Sequence, residues 1–161
     1  MLVCGMLTTS FSLTASEASQ QEMEALIEKA QEYVYSNPKK LDSIIAVVER
    51  RTLALGDSTY FQTIRSMQGI RASMHNDYGP ALKCFYDVWK RSKRLNDSSA
   101  QITALMNMSG VSQMSGRYRD AKERLKLALE LNQDQRGIDE AQIIMAIGMA
   151  EVELNQFDSA I

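Results

Sequence analysis

Proline and glycine are scarce in this sequence, at 2 and 8 of 161 residues. Long helices can therefore run without interruption, because these two residues are the usual helix breakers. Also missing are the alternating runs of β-branched and aromatic residues that a strand requires. There is no large excess of one charge: the net charge is −2, which argues against a polyanion as the main partner. One histidine, His75, and two cysteines, Cys4 and Cys84, cannot form a histidine–cysteine zinc cluster. No apolar run reaches the roughly 20 residues of a membrane-spanning helix. What remains is 45% apolar and 24% charged residues, proportions of a soluble globular protein. The length suits one domain with a sizeable core or a short stack of repeats.

The opening stretch MLVCGMLTTSFSLTA is apolar, small and uncharged. It suits the apolar core of a secretory signal, and Ala15, Ser16 and Ala18 offer a cleavage site after Ala18. The first basic residue is Lys29, so the positive charge a signal carries ahead of its apolar core is missing. Residues 1–18 are accordingly read as a truncated signal peptide, with the true start upstream or at another methionine. Cys4 opens the apolar core instead of following it, which disfavours a lipoprotein anchor. Removal of this stretch leaves Cys84 as a single thiol beside Phe85, expected to behave as a small buried hydrophobe.

The remainder is repetitive. Asn76-Asp77-Tyr78-Gly79-Pro80-Ala81 aligns with Gly116-Arg117-Tyr118-Arg119-Asp120-Ala121 and with Asn155-Gln156-Phe157-Asp158-Ser159-Ala160. Each run has a turn former, an aromatic two positions on and an alanine three beyond that. The alanines at 81, 121 and 160 give intervals of 40 and 39. Seven positions before each turn former stands a small residue: Gly69, Ser109 and Gly148. An amphipathic helix pair cannot bury its own apolar face, so similar pairs stack and share a core. The small residue and the alanine let paired helices approach closely, and the aromatic covers the turn. The pattern predicts helices at about 20–36, 39–55, 59–75, 79–95, 99–115, 118–132 and 139–154, with an eighth opening near Phe157. Thr59-x-x-Gln62, Ser98-x-x-Gln101 and Asp139-x-x-Gln142 suggest capping at three helix starts. The first pair is the least regular. Its turn is Asn37-Pro38, and its first helix fits only after a one-residue slip.

Glycine, aromatic and alanine at these positions resemble tetratricopeptide (TPR) repeats. The similarity covers about 20–161, with pairs at about 20–55, 59–95, 99–132 and 139–161, the last cut off. The repeat is nearer forty residues than the common TPR period of thirty-four. The extra residues fall around Leu95-Asn96-Asp97 and Asn132 to Gly137. The tryptophan usual in the first TPR helix is replaced by Arg65, Leu105 and Ile144, and the closing proline is absent. The resemblance implies an all-α superhelix of seven to eight antiparallel helices. A helix that opens at Phe157 would leave its apolar face without a partner, so the chain is expected to be a fragment.

Chemistry is sparse. His75 ends a helix, where it suits the helix dipole. No phosphate loop, G-x-S-x-G elbow or H-E-x-x-H helix occurs. Acidic pairs such as Asp139-Glu140 and Glu151/Glu153 fall on helix starts or solvated faces. No enzyme activity, metal or cofactor is expected. Lys90-Arg91-Ser92-Lys93-Arg94 is basic, but it sits at a helix end that favours cations. The next repeat has Leu129-Glu130-Leu131-Asn132 there, so no nucleic-acid surface is expected.

In TPR stacks the first helix of each pair lines a groove that receives a peptide or partner helix. That resemblance assigns Thr63, Ser66, Ile70 and Met74 to the groove from one repeat. The next supplies Thr103, Met106, Gly110, Gln113 and Met114, and the following one Gln142, Met145, Met149 and Glu153. Methionines suit adaptable binding surfaces, and equally they fill cores. A TPR subset grips a terminal carboxylate with lysine and asparagine. Ser66 and Ile70 occupy those places here, so that mode is not implied. The expected function is a protein- or peptide-binding scaffold, with self-association possible. It would be exported, periplasmic or membrane-tethered, or cytoplasmic if the opening stretch is not a signal. The alternative is the exported sensory region of a larger bacterial regulator. Such a regulator would carry a membrane helix and a DNA-binding or histidine-kinase output beyond Ile161.

Overall fold

The computed structural model describes residues 15–55, 60–132 and 140–158. Every regular element among them is a helix: α1 (Ala15–Tyr33), α2 (Pro38–Leu55), α3 (Phe61–Met74), α4 (Tyr78–Leu95), α5 (Ser98–Met114), α6 (Tyr118–Asn132) and α7 (Glu140–Asp158). The fold is all-α, and consecutive helices pack on one another along the chain. None of these helices is long and apolar enough to cross a membrane. The greater part of the expected signal peptide, 1–14, lies outside the described residues. Ala15, Ser16 and Ala18 of its cleavage motif begin α1. Helix boundaries otherwise fall close to those the periodicity predicts.

One turn geometry closes three successive helices. Asn76, Asn96 and Gly116 adopt left-handed φ values of 62°, 54° and 72°, a spacing of 20 residues. The amide one residue later returns to the helix in each case. Asp77 donates to the Ala72 carbonyl at 2.9 Å, Asp97 to Ser92 at 3.0 Å and Arg117 to Ser112 at 2.8 Å. Glycine and asparagine reach this region at the least steric cost, and the bonds satisfy carbonyls a helix end would orphan. Leu95-Asn96-Asp97, read as extra length in the repeat, is thus the same turn placed between pairs.

The helix starts differ in part from expectation. The cap of α5 is Asp97, whose carboxylate accepts from the Ala100 amide at 3.0 Å. A carboxylate favours the positive helix start more than the Ser98 hydroxyl can, and Gln101 is buried instead of reaching back. Asn37 caps α2, accepting from the Lys40 amide at 3.1 Å, with Pro38 where proline suits the first turn. Thr59 and Asp139 lie outside the described residues. The eighth helix does not open at Phe157, because α7 continues to Asp158. Its Glu153–Asp158 run holds neither glycine nor proline, so nothing local stops the helix there. Residues 159–161 lie outside the described set.

Two apolar clusters meet at Ile70. One joins Met23, Ala30, Leu41, Ile45, Val48, Ile64 and Met67 of α1–α3. The other joins Ala81 and Phe85 of α4, Ile102, Leu105, Met108 and Val111 of α5, Leu125 and Ala128 of α6, and Ile143 of α7. Helix α5 contains no Asp, Glu, Lys or Arg, as befits a helix covered on most sides. The small-residue positions pack closely at 69, 81, 109 and 121, whereas Gly148 is exposed with open space around it and Ala160 lies outside the described residues. Ala81 and Ala121 are fully buried, and Gly69 lies directly under the Phe85 ring. A Cβ added there would stand 2.7 Å from the ring carbons.

Candidate functional site

Helices α1, α3 and α5 converge on an open cavity of about 570 Å³. Its walls are Gln31, Val34 and Tyr35 at the end of α1, then Gln62, Thr63, Ser66, Met67 and Ile70 of α3, and Ser99, Ala100 and Thr103 of α5. Val88 and the cap residue Asp97 complete it. Valine, methionine and isoleucine give it an apolar base, while hydroxyls and carboxamides stand along its sides. Gln62 Nε2 is buried there without a hydrogen-bond partner. Tyr35 is 71% exposed at the rim. Among the described lining residues, Asp97 is the only ionisable acid or base apart from the Tyr35 phenol.

Four of the groove residues taken from the repeat register, Thr63, Ser66, Ile70 and Thr103, share this cavity. The cavity does not extend to the others. Met106 is half-buried against the α4–α7 core. Gln113 donates to Ser109 Oγ at 3.5 Å. Gly110 has open space around it, and Met74 and Met114 are exposed. On α7, Gln142, Met145, Met149 and Glu153 are all exposed. Methionine therefore plays both roles in this chain: Met23, Met67 and Met108 are core, whereas Met74, Met114, Met145 and Met149 face outward.

Gln31 and Tyr35 were missed because the first pair fits the repeat poorly. A signal for them exists. A shift of 39 residues aligns Gln31 with Ile70 and Tyr35 with Met74, the same interval that separates Ala121 from Ala160. The sequence pattern places Asp97 among the extra residues between pairs and the α5 cap at Ser98, and assigns Ser99 no role.

The cations of α3 turn away from the cavity. Arg65 pairs with Asp87 of α4, and Arg71 with Asp42 of α2. Burial is the largest single influence and works against the Arg65 charge, but the Asp87 hydrogen bond together with the nearby Cys84, Asp87 and Glu49 groups raises the pKa on balance. Arg71 and Asp42 border a smaller polar cavity of about 290 Å³ with Gln68, His75 and Asp77. Cys84 is buried beside Arg65, and that burial pushes its thiol pKa up despite the neighbouring cation. Arg124 donates to the buried Ser112 Oγ at 2.6 Å, tying α6 to α5, and burial lowers its pKa. In the basic run of α4, Arg91 lies 5.1 Å above the Phe61 ring and Lys93 lies 5.2 Å above Trp89, while Lys90 and Arg94 are exposed. His75 forms the C-cap of α3.

No protein-family model matches this chain, and neither a curated protein nor a solved structure matches it.

Proposed function

We propose that this chain is a TPR-like helical-repeat module that holds an extended segment of a partner protein and catalyses no reaction itself. The observation that carries this reading is the convergence of α1, α3 and α5, the first helices of three successive pairs, on one cavity of about 570 Å³. An extended peptide needs apolar sites for alternate side chains and polar groups for its main chain. Val34, Met67 and Ile70 offer the first, and Gln31, Thr63, Ser66 and Thr103 the second. The groove is preformed by packed helices, so ordering it on binding costs little. The uncharged apolar opening of the sequence supports an exported location.

Site-specific photocrosslinking tests the proposal. A benzophenone side chain at Ser66 or Thr103 should capture a protein partner in the cells that make the chain. The same group at Lys83, exposed on α4, should capture none or a different set. Identical products from all three positions would reject the groove.

A further inference from the structure

The described helices separate their charge by position in the chain. Cations crowd the second helix of each pair: Lys39, Lys40, Arg50 and Arg51 on α2, Lys83, Lys90, Arg91, Lys93 and Arg94 on α4, and Arg119, Lys122, Arg124 and Lys126 on α6. The first helices hold only Lys29, Arg65 and Arg71, and α5 and α7 hold no cation at all. Arg65 and Arg71 are bound to carboxylates of α4 and α2. Lys29 lies about 200° around α1 from Gln31, on the far side from the cavity. No cation is among the described residues that line the cavity, whereas Asp97 is. Glu24 and Glu28, both exposed, share the α1 face of the cavity residue Gln31 by helical period.

Building on the groove reading, we propose that its ligand is a cationic, acid-poor extended segment, with a lysine or arginine seated between the Tyr35 ring and the Asp97 carboxylate. A glutamate-bearing segment would lose its hydration against Asp97, Glu28 and Glu24, with no cation among the described lining residues to offset it. A lysine-bearing one gains from all three, and from the open face of Tyr35. Charge placed this way discriminates between partners more than it adds raw affinity. The Asp97 carboxylate keeps one oxygen on the Ala100 amide, so asparagine can retain the cap while removing the charge.

The test uses the 161-residue chain and three fluorescein-labelled dodecapeptides of equal apolar content bearing lysines, serines or glutamates. Fluorescence anisotropy at low salt should show the lysine peptide binding at least about tenfold tighter than the glutamate peptide, with the gap narrowing as salt rises. Asp97→Asn combined with Glu28→Gln should reduce that preference to about threefold or less, and an undiminished preference would overturn the charge proposal. Ser66→Trp, which fills the cavity, should weaken all three. Equal affinity for the lysine and glutamate peptides, blocked by Ser66→Trp, would overturn the charge proposal and leave the groove standing. Binding indifferent to Ser66→Trp would overturn the groove and the charge proposal with it.

Discussion

Replacing Gly69 and Gly148 by alanine in separate variants applies one chemical change at equivalent positions of two repeats. In both helices alanine should gain about 1 kcal/mol over glycine from the lower entropy of the unfolded chain. The surroundings then separate the two. At position 69 the new methyl carbon would meet Phe85 ring carbons at 2.7 Å, and Phe85 is only 2% exposed, so the ring cannot swing clear. Overpacking of this kind costs about 1–3 kcal/mol. Gly69→Ala should therefore be neutral or lose up to about 2 kcal/mol. At position 148 no side chain lies within 4 Å, and Gly148→Ala should gain up to about 1 kcal/mol. Because the backbone gain cancels in the comparison, the difference isolates the packing term. It amounts to a gap of roughly 2–12 °C in Tm at about 2–4 °C per kcal/mol. Thermal melts followed by circular dichroism would measure it. Phe85→Leu added to Gly69→Ala should recover part of the loss, a coupling absent with Gly148→Ala. Equal Tm shifts for the two alanine variants would refute close helix approach at Gly69.

Asp97→Ala should lose about 0.5–2 kcal/mol in urea unfolding as the α5 cap disappears, while Asp97→Asn stays near wild type. Equal losses would show that charge, not the hydrogen bond to Ala100, is what matters. The Cys84 thiol should resist a thiol reagent in the native state and react at the rate of opening. Because its folded pKa is raised, its contribution to stability is intact below the ordinary thiol range near pH 8.5 and falls as pH rises through it. Immediate labelling at neutral pH would contradict the burial. Glu151 accepts from Lys122 of α6 at 2.7 Å, and that bond holds its carboxyl below the ordinary range. The contribution of this pair is present above that range and fades as pH falls through the depressed value. Carboxyl titration by NMR should therefore show the Glu151 midpoint rising in Lys122→Met, and an unmoved midpoint would rule the pair out in solution.

Most helix positions were legible because the apolar period and the turn formers agree at Asn76 and Gly116. The end of α7 was not, since a turn at Asn155 depends on what packs beyond it, while the local sequence permits continued helix. The candidate groove was half legible. Thr63, Ser66, Ile70 and Thr103 follow from the repeat register, but Gln31 and Tyr35 sit in the pair that slips by one residue. Asp97 carries two duties at once, cap and cavity wall, and the sequence pattern points to neither, since Ser98-x-x-Gln101 puts the cap one residue later.

Taken alone, the sequence determined the all-α class, the period near forty and the small residues at 69, 81, 109 and 121, because these are local and repeat along the chain. It also determined which helices hold the cations, which is a matter of composition within each segment. Tertiary structure decided where those charges point. Arg65 and Arg71 belong to α3, which lines the cavity, yet each is turned aside by a carboxylate on a neighbouring helix. It decided, too, that Gly69 lies beneath an aromatic ring while Gly148 stands open. The same residue in the same register differs there only in what packs against it, and packing is a property of neighbours that no single helix encodes.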